Sequence, residues 1–189
     1  MKKAKMESSA FNRLIDATKA FCSKDNRNAC YNFIRLEFHA ETSEVVAVAV
    51  DGYRLSTEYG LAECEEDFVV YVQSNIKLPA NSNALFELID NEAFIRCNGF
   101  IFGFKQPHGE FLDWQNVIPT SDVQFKIGFN GDYLLSALQA AKASCGKSFK
   151  TPVVLEFRTP LDPVILRTNG KDVKMVLPVR LTERQKEGR

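Results

Sequence analysis

Several kinds of chemistry are missing from this sequence. Its 189 residues include only two histidines, and His39 and His108 lie far apart with no cysteine or carboxylate at ligand spacing. A zinc site is therefore not expected, and nothing else implies a metal or cofactor. The five cysteines, at 22, 30, 64, 97 and 145, are odd in number and include no Cys-x-x-Cys pair. That usage reads as reduced structural thiols in a reducing compartment. No apolar run approaches the ~20 residues of a membrane span, and the opening MKKAKMESSAF has no apolar signal region. The expected location is the cytoplasm. Neither sign of charge prevails, with 24 basic against 24 acidic residues, so no global attraction draws the chain to nucleic acid or acidic membranes. A zero sum still permits a basic face opposite an acidic one. There is no Gly-x-Gly-x-x-Gly, phosphate loop or Gly-x-Ser-x-Gly, and Glu65-Glu66 reads as solvated loop charge rather than an acid–base pair. The sequence points away from an enzyme.

What is present is an ordinary globular composition, 45% hydrophobic, in a chain long enough for one large domain or one and a half smaller ones. Helical spacing marks SSAFNRLIDATKAFCSK, where Phe11, Leu14, Ile15, Thr18 and Cys22 share one face and Arg13, Asp16, Ala20 and Lys24 the other. Ser8 or Ser9 is its expected N-cap. A second helix is expected over NSNALFELIDNE, after Pro79. A third is expected over NGDYLLSALQAAKASCGK, capped by Asn130 and closed at Gly146. Strands are expected at FIRLEFHA, EVVAVAVD and YRLSTEY, and at EAFIRCNGFIFGFKQ, where Asn98-Gly99 signals a two-residue hairpin. PVVLEFRT, PVILRTNG and VKMVLPVRL follow, with Asn169-Gly170 as the last turn. KAKME, FVVYV and QFKIGF read as strands that open each helical unit. The elements then repeat three times as an opening strand, a helix and about three antiparallel strands. PTSDV (119–123) is the nearest thing to a boundary.

Five segments, in order, resemble the bacterial sliding clamp, the beta subunit of DNA polymerase III. RLIDATKAF is similar to the helix opening that family's middle domain, and VAVDGYRLS to its Asp-Gly-(His)-Arg-Leu stretch. FLDWQNVIP resembles a strand end of the family, IGFNGDYLLSALQA the last helix of the third domain, and VKMVLPVRL the C-terminal strand. The resemblance covers about residues 8–181. It implies an α+β DNA-clamp fold, with repeated strand-helix-three-strand units and helices on one face of curved antiparallel sheets. It implies a domain at 1–120 like the middle domain, a half domain at 121–181 like the C-terminal unit, and a polar tail at 182–189. A family member has three domains of two units each; here three units are expected, the first domain and half of the third being absent.

The family binds short linear peptides, with Gln and an aliphatic-aromatic ending, in a hydrophobic groove. Carried onto matching positions, the groove would use Val50, Gly52, Tyr53, Arg54 and Leu55, then Leu112, Asn116 and Val117. Met175, Val176, Leu177, Pro178, Val179 and Arg180 would complete it. Leu112 stands where the family usually has Pro, Asn116 where Arg is common, and Tyr53 where His is frequent. The plainer reading is a core strand at 173–181 and a hairpin-packing Tyr53. The resemblance also implies helices facing duplex phosphates without base readout, for which Arg13, Lys19, Lys24, Arg27, Lys142 and Lys147 are the candidates. Exposed helix faces routinely carry such residues in any case. The expected partners are duplex DNA, DNA polymerase and other peptide-motif proteins, a clamp loader, and further copies of the chain as a dimer or tetramer. The alternative function is a peptide-binding module that keeps the groove, encloses no DNA and competes for clamp partners.

Overall fold

The computed structural model of the chain describes residues 1–25, 28–145, 152–168, 171–183 and 185. It divides into two compact units, Met1–Ile118 and Pro119–Arg189.

The first unit runs β1 (Lys2–Glu7), α1 (Ser8–Thr18), β2 (Phe33–His39), β3 (Glu44–Val50), β4 (Leu55–Leu61), β5 (Glu63–Cys64) and β6 (Phe68–Gln73). It continues with β7 (Asn83–Ile89), β8 (Glu92–Cys97) and β9 (Phe100–Lys105). These strands form two antiparallel sheets, ordered β4-β3-β2-β6 and β5-β1-β7-β8-β9. Each half of the unit therefore lends its opening strand to the sheet of the other half. β6 pairs with β2 from Phe33↔Gln73 to Phe38↔Phe68, and β1 pairs with β7 from Lys2↔Leu88 to Glu7↔Asn83.

Helix α1 buries Phe11, Leu14, Ile15 and Thr18, the face that the i, i+3, i+4, i+7 spacing marks. Thr18 satisfies its buried hydroxyl by donating to the Leu14 carbonyl at 2.7 Å. The helix starts without a serine cap. Glu7 is the N-cap, its side chain making no capping bond to the helix N–H groups, while the buried Ser8 hydroxyl accepts from the Ser82 N–H at 3.2 Å. Ser8 is drawn away by the packing of 82 against the helix start, and Ser9 reaches only the Glu7 carboxylate. Around α1 lies an aromatic core: Phe86 stands 5.5 Å from Phe11 and 5.4 Å from Phe38, which stacks on Phe68 at 4.8 Å.

The helix expected at 81–92 is a strand. Ala84, Leu85, Leu88 and Ile89 satisfy helical spacing, but Ala84, Phe86 and Leu88 also alternate, and those three face the core. The strand wins because β1 supplies a six-residue partner along one side and β8 another along the other. Glu87, on the opposite face, is held by Lys3 at 3.3 Å and Arg96 at 2.7 Å. Asp90, at φ 52°, turns the chain in two residues from Ile89 to Glu92. The second copy of the repeat thus has its opening strand but no helix. Asn98 and Gly99, at φ 47° and 81°, make the two-residue hairpin that the Asn-Gly pair signals.

Strand β3 is buried on both faces, which explains its nearly unbroken apolar sequence EVVAVAV. One face, with Val45, Ala47 and Ala49, joins the core under α1; the other, with Val46, Val48 and Val50, is covered by Trp114. The covering segment, 106–118, is tied down at its start. Buried Gln106 accepts from the Tyr71 N–H at 2.7 Å and donates to the Tyr71 carbonyl at 3.2 Å.

The second unit holds β10 (Gly128–Phe129), α2 (Gly131–Ser144), β11 (Val154–Glu156), β12 (Val164–Arg167), β13 (Lys174–Val176) and β14 (Pro178–Val179). Asn130 caps α2 as its position predicts, its side-chain oxygen accepting from the N–H groups of Asp132 and Tyr133 at 3.0 and 3.1 Å. Val164, Leu166 and Val176 form a small core on which Phe129, Ala137, Leu138 and Val153 pack. The strand expected through 124–129 is paired only at Gly128 and Phe129. The Asn169-Gly170 turn and the helix end at Gly146 lie outside the described residues. Among the described residues, no helix is long and apolar enough to cross a membrane.

Candidate partner-binding surfaces

In the first unit, Val50 pairs with Leu55, so Asp51, Gly52, Tyr53 and Arg54 form a four-residue loop and β4 starts two residues later than expected. Gly52 sits at φ 89°, a left-handed conformation that explains glycine here. Asp51 organises the loop. One carboxylate oxygen accepts from the N–H groups of Tyr53 and Arg54 at 3.0 and 2.9 Å; the other accepts from the Arg54 guanidinium at 2.9 and 2.6 Å. Arg54 also donates to the Ala20 carbonyl at 3.0 Å and lies over the Phe21 ring at 5.1 Å, which locks the loop to the turn that follows α1, Lys19–Phe21. With Arg54 fixed, Tyr53 projects into solvent at 91% exposure, so it packs no hairpin.

The Arg54 guanidinium, aided by the Tyr53 N–H, holds the Asp51 carboxyl below the usual carboxylate range. A depressed folded-state pKa contributes stability that is present above the ordinary carboxylate pKa and lost as pH falls through the folded value. Asp51→Asn is therefore expected to lower the melting temperature slightly at neutral pH, solvent screening keeping the cost to about 1 kcal/mol or less. Wild type and variant should converge as pH drops below the lowered value. Equal melting curves at pH 7 would show that the pair does not anchor the loop. Burial pushes the nearby Cys22 thiol up to about 11, leaving it protonated at neutral pH.

Of the expected groove residues in this unit, Val50, Leu55 and Leu112 meet in one cluster with Trp114, Tyr31 and Phe111. Val50 is itself buried and supports the surface from behind. Trp114 donates its indole N–H to buried Glu37 at 3.1 Å, and Glu37 is ion-paired to Arg35 at 2.6 Å. Arg35 lies over the Phe111 ring at 5.1 Å. These contacts bring 111–117 onto the sheet, where Val117 is left half exposed and Asn116 donates to Asp113 at 2.6 Å.

In the second unit, Val176 belongs to the core, whereas Met175, Leu177 and Val179 are exposed. Val179 and Arg180 line a cavity of about 700 Å³ with Val123, Phe125, Pro160, Leu161 and Leu181. Its walls are aliphatic and aromatic, and Lys126 and Arg180 stand among them. A Cβ at Gly128 would lie 2.5 Å from a Leu181 methyl and 3.3 Å from a Val179 methyl, so both side chains pack directly over the glycine. Phe125, Leu161 and Leu181 were not expected in a site. The alternation of VQFKIGF was the only signal for Phe125, and none marked Leu161.

The candidate DNA-facing residues are distributed unevenly. Arg13 is paired with Glu58 at 3.1 Å and donates to the Tyr59 carbonyl, and Lys19 is paired with Asp16 at 2.5 Å. Lys24 lines an open depression with Asp51 and Tyr53, and Lys142 lies in the last turn of α2. Arg27 and Lys147 fall outside the described residues.

The first unit's two antiparallel sheets, which exchange their opening strands around a core capped by α1, are those of the DNA-clamp fold. Solved structures of that fold match along nearly the whole chain. A putative DNA polymerase III beta subunit from Eubacterium rectale covers 94% of it with a TM-score of 0.82 at 15% identity. The beta subunit from Pseudomonas aeruginosa covers 96% with a TM-score of 0.76 at 17% identity. The Helicobacter pylori beta clamp, solved with a DNA ligase peptide bound, covers 95% with a TM-score of 0.75 at 13% identity. The chain spans about half the length of these three proteins, 50%, 52% and 50% respectively. No family model matches the sequence, and no curated protein does.

Proposed function

We propose that the chain is a clamp-like tether. In this reading it binds short linear peptides of DNA polymerases and other replication or repair proteins, and an oligomer of it encloses duplex DNA, loaded by a clamp loader in the cytoplasm. No catalytic step is assigned to it. The observation that carries the reading is the apolar cavity beside β14, in a clamp-fold chain whose Helicobacter pylori counterpart holds a DNA ligase peptide. An apolar pocket with a few cations at hand suits buried aliphatic and aromatic anchors on a peptide. The proposed surface includes Met175, Leu177, Pro178, Val179 and Arg180 in the second unit. Val176 supports that surface, and the first unit offers a candidate surface of its own in Gly52, Tyr53, Arg54, Leu55, Leu112, Asn116 and Val117, with Val50 behind it.

The test is fluorescence anisotropy with a labelled peptide containing Gln and a Leu-Phe ending. Leu161→Glu, at an exposed wall of the cavity, is expected to weaken binding about tenfold or more, and Tyr53→Ala by a smaller factor. Absence of binding by the wild type, or full binding by Leu161→Glu, would overturn the reading. Enclosure is tested separately by retention on nicked circular DNA that is lost on linearisation.

One observation favours the second reading, a peptide-binding module that encloses nothing. The cations Arg13 on α1 and Lys19 just after it are each engaged by a carboxylate, which leaves less charge for phosphates. Peptide binding without topological retention on DNA would select that module.

A further inference from the structure

The first unit shows how two halves of this fold complete each other, and the second unit contains one half. In the first half, β1 is followed by α1, then β2, β3, β4 and β5, and β5 returns to pair with β1 at Ala4↔Cys64 and Lys5↔Glu63. The second unit has the same plan. β10 is followed by α2, then β11, β12, β13 and β14, and β14 returns to pair with β10 at Gly128↔Val179 and Phe129↔Pro178. In the first unit two further pairings exist: the other edge of β1 takes β7, and the outer edge of β2 takes β6. Among the described residues, the corresponding edges of β10 and β11 have no strand partner.

We propose that a second copy of this chain supplies both, its β11 pairing with β10 and its β10 pairing with β11 about a two-fold axis. The occupant is fixed by the strand order. The first unit's sheet reads β5-β1-β7-β8-β9; β14 and β10 of one copy followed by β11, β12 and β13 of the other reproduce it. The two open edges lie on the same unit, so a symmetric pair satisfies both at once, as an isologous interface requires. The side chains agree. Val123-Gln124-Phe125-Lys126-Ile127-Gly128-Phe129 alternates as a strand with one apolar face, yet it is paired only at its last two residues. Val123 and Phe125 are exposed there, and so are Val154, Leu155 and Phe157 on and beside β11. An apolar edge strand of this kind is a template for pairing. The inference rests on the fold alone and stands whether or not the chain binds peptides or DNA.

Light scattering on the whole 189-residue chain is expected to give twice the mass of one chain. Leu155→Pro, in β11, and Lys126→Pro, ahead of β10, are each expected to reduce it to a single chain by removing an N–H and distorting the edge. Fluorescence from the lone tryptophan, Trp114, should stay unchanged in both variants, since it reports on the first unit. Mixed together, the two variants should form a heterodimer, because one intact β10 and one intact β11 remain to pair. A wild type of single-chain mass at all concentrations would overturn the proposal. So would a dimer that persists in both variants, or monomeric variants that do not complement each other.

Discussion

Phe86→Ala is expected to destabilise the first unit by about 3–5 kcal/mol, the range for deleting a fully buried phenylalanine. Phe86 has no solvent exposure and is the ring on which the parts of the unit converge. It belongs to β7, touches Phe11 of α1 at 5.5 Å, and touches Phe38 of the opposite sheet at 5.4 Å. Removing it opens a cavity between the helix and both sheets, where few neighbours can move in to fill the space. Urea denaturation followed by Trp114 fluorescence isolates the first unit, because the chain has one tryptophan. The midpoint should fall while the slope holds. Phe86→Leu, closer in volume, should cost roughly 1–2 kcal/mol. A loss below about 1 kcal/mol for the alanine variant would mean that the three elements do not share this ring.

Trp114→Ala is expected to cost a similar ~3–5 kcal/mol and, in addition, to release the 107–118 segment from the sheet. The indole covers Val46, Val48 and Val50 and donates to Glu37, a carboxylate only 8% exposed. Loss of the donor leaves that carboxylate with Arg35 at 2.6 Å and His39 at 4.0 Å, so part of the cost is a buried acceptor short of a hydrogen bond. Trp114→Phe separates the two effects, keeping most of the apolar cover while deleting the N–H, and should cost about 1–3 kcal/mol. Glu37→Gln combined with Trp114→Phe should cost less than the sum of the two single changes, since they act on one contact. Circular dichroism is the readout, the tryptophan being gone. Simple additivity would break the claimed link between the two residues.

The parts of the fold that were legible in the sequence are those decided locally. Asn98-Gly99 needs two left-handed residues and finds them within its own turn; Asn130 caps the helix that begins beside it. The stripe of Phe11, Leu14 and Ile15 fixes which face of α1 turns inward. Segment 83–89 could not be read this way. Ala84, Leu85, Leu88 and Ile89 suit a helix and Ala84, Phe86 and Leu88 suit a strand, and the choice is made by β1, about eighty residues earlier in the chain. The site behaves likewise. Tyr53 and Arg54 could be singled out beside the Asp51-Gly52 turn, but that Arg54 is spent on Asp51, Ala20 and Phe21 depends on where α1 ends. The cavity beside β14 is assembled from 123–128, 160–161 and 179–181, three stretches with no common motif. Each of its apolar residues would pass for ordinary core in sequence.

The exchange of opening strands also sets a timetable for synthesis. β1 leaves the ribosome about eighty residues ahead of β7, so Lys2 finds its partner only when Leu88 has followed. Until then Ala4 and Met6, destined for burial, have beside them only the two-residue β5, paired at Ala4 and Lys5, and β2 waits for β6 in the same way. Such long-range pairing makes folding slow and lengthens the interval in which unpaired apolar strands are exposed to other nascent chains. The first unit is thus a late-committing fold, one whose yield in a cell depends on how well its early strands are sheltered during translation.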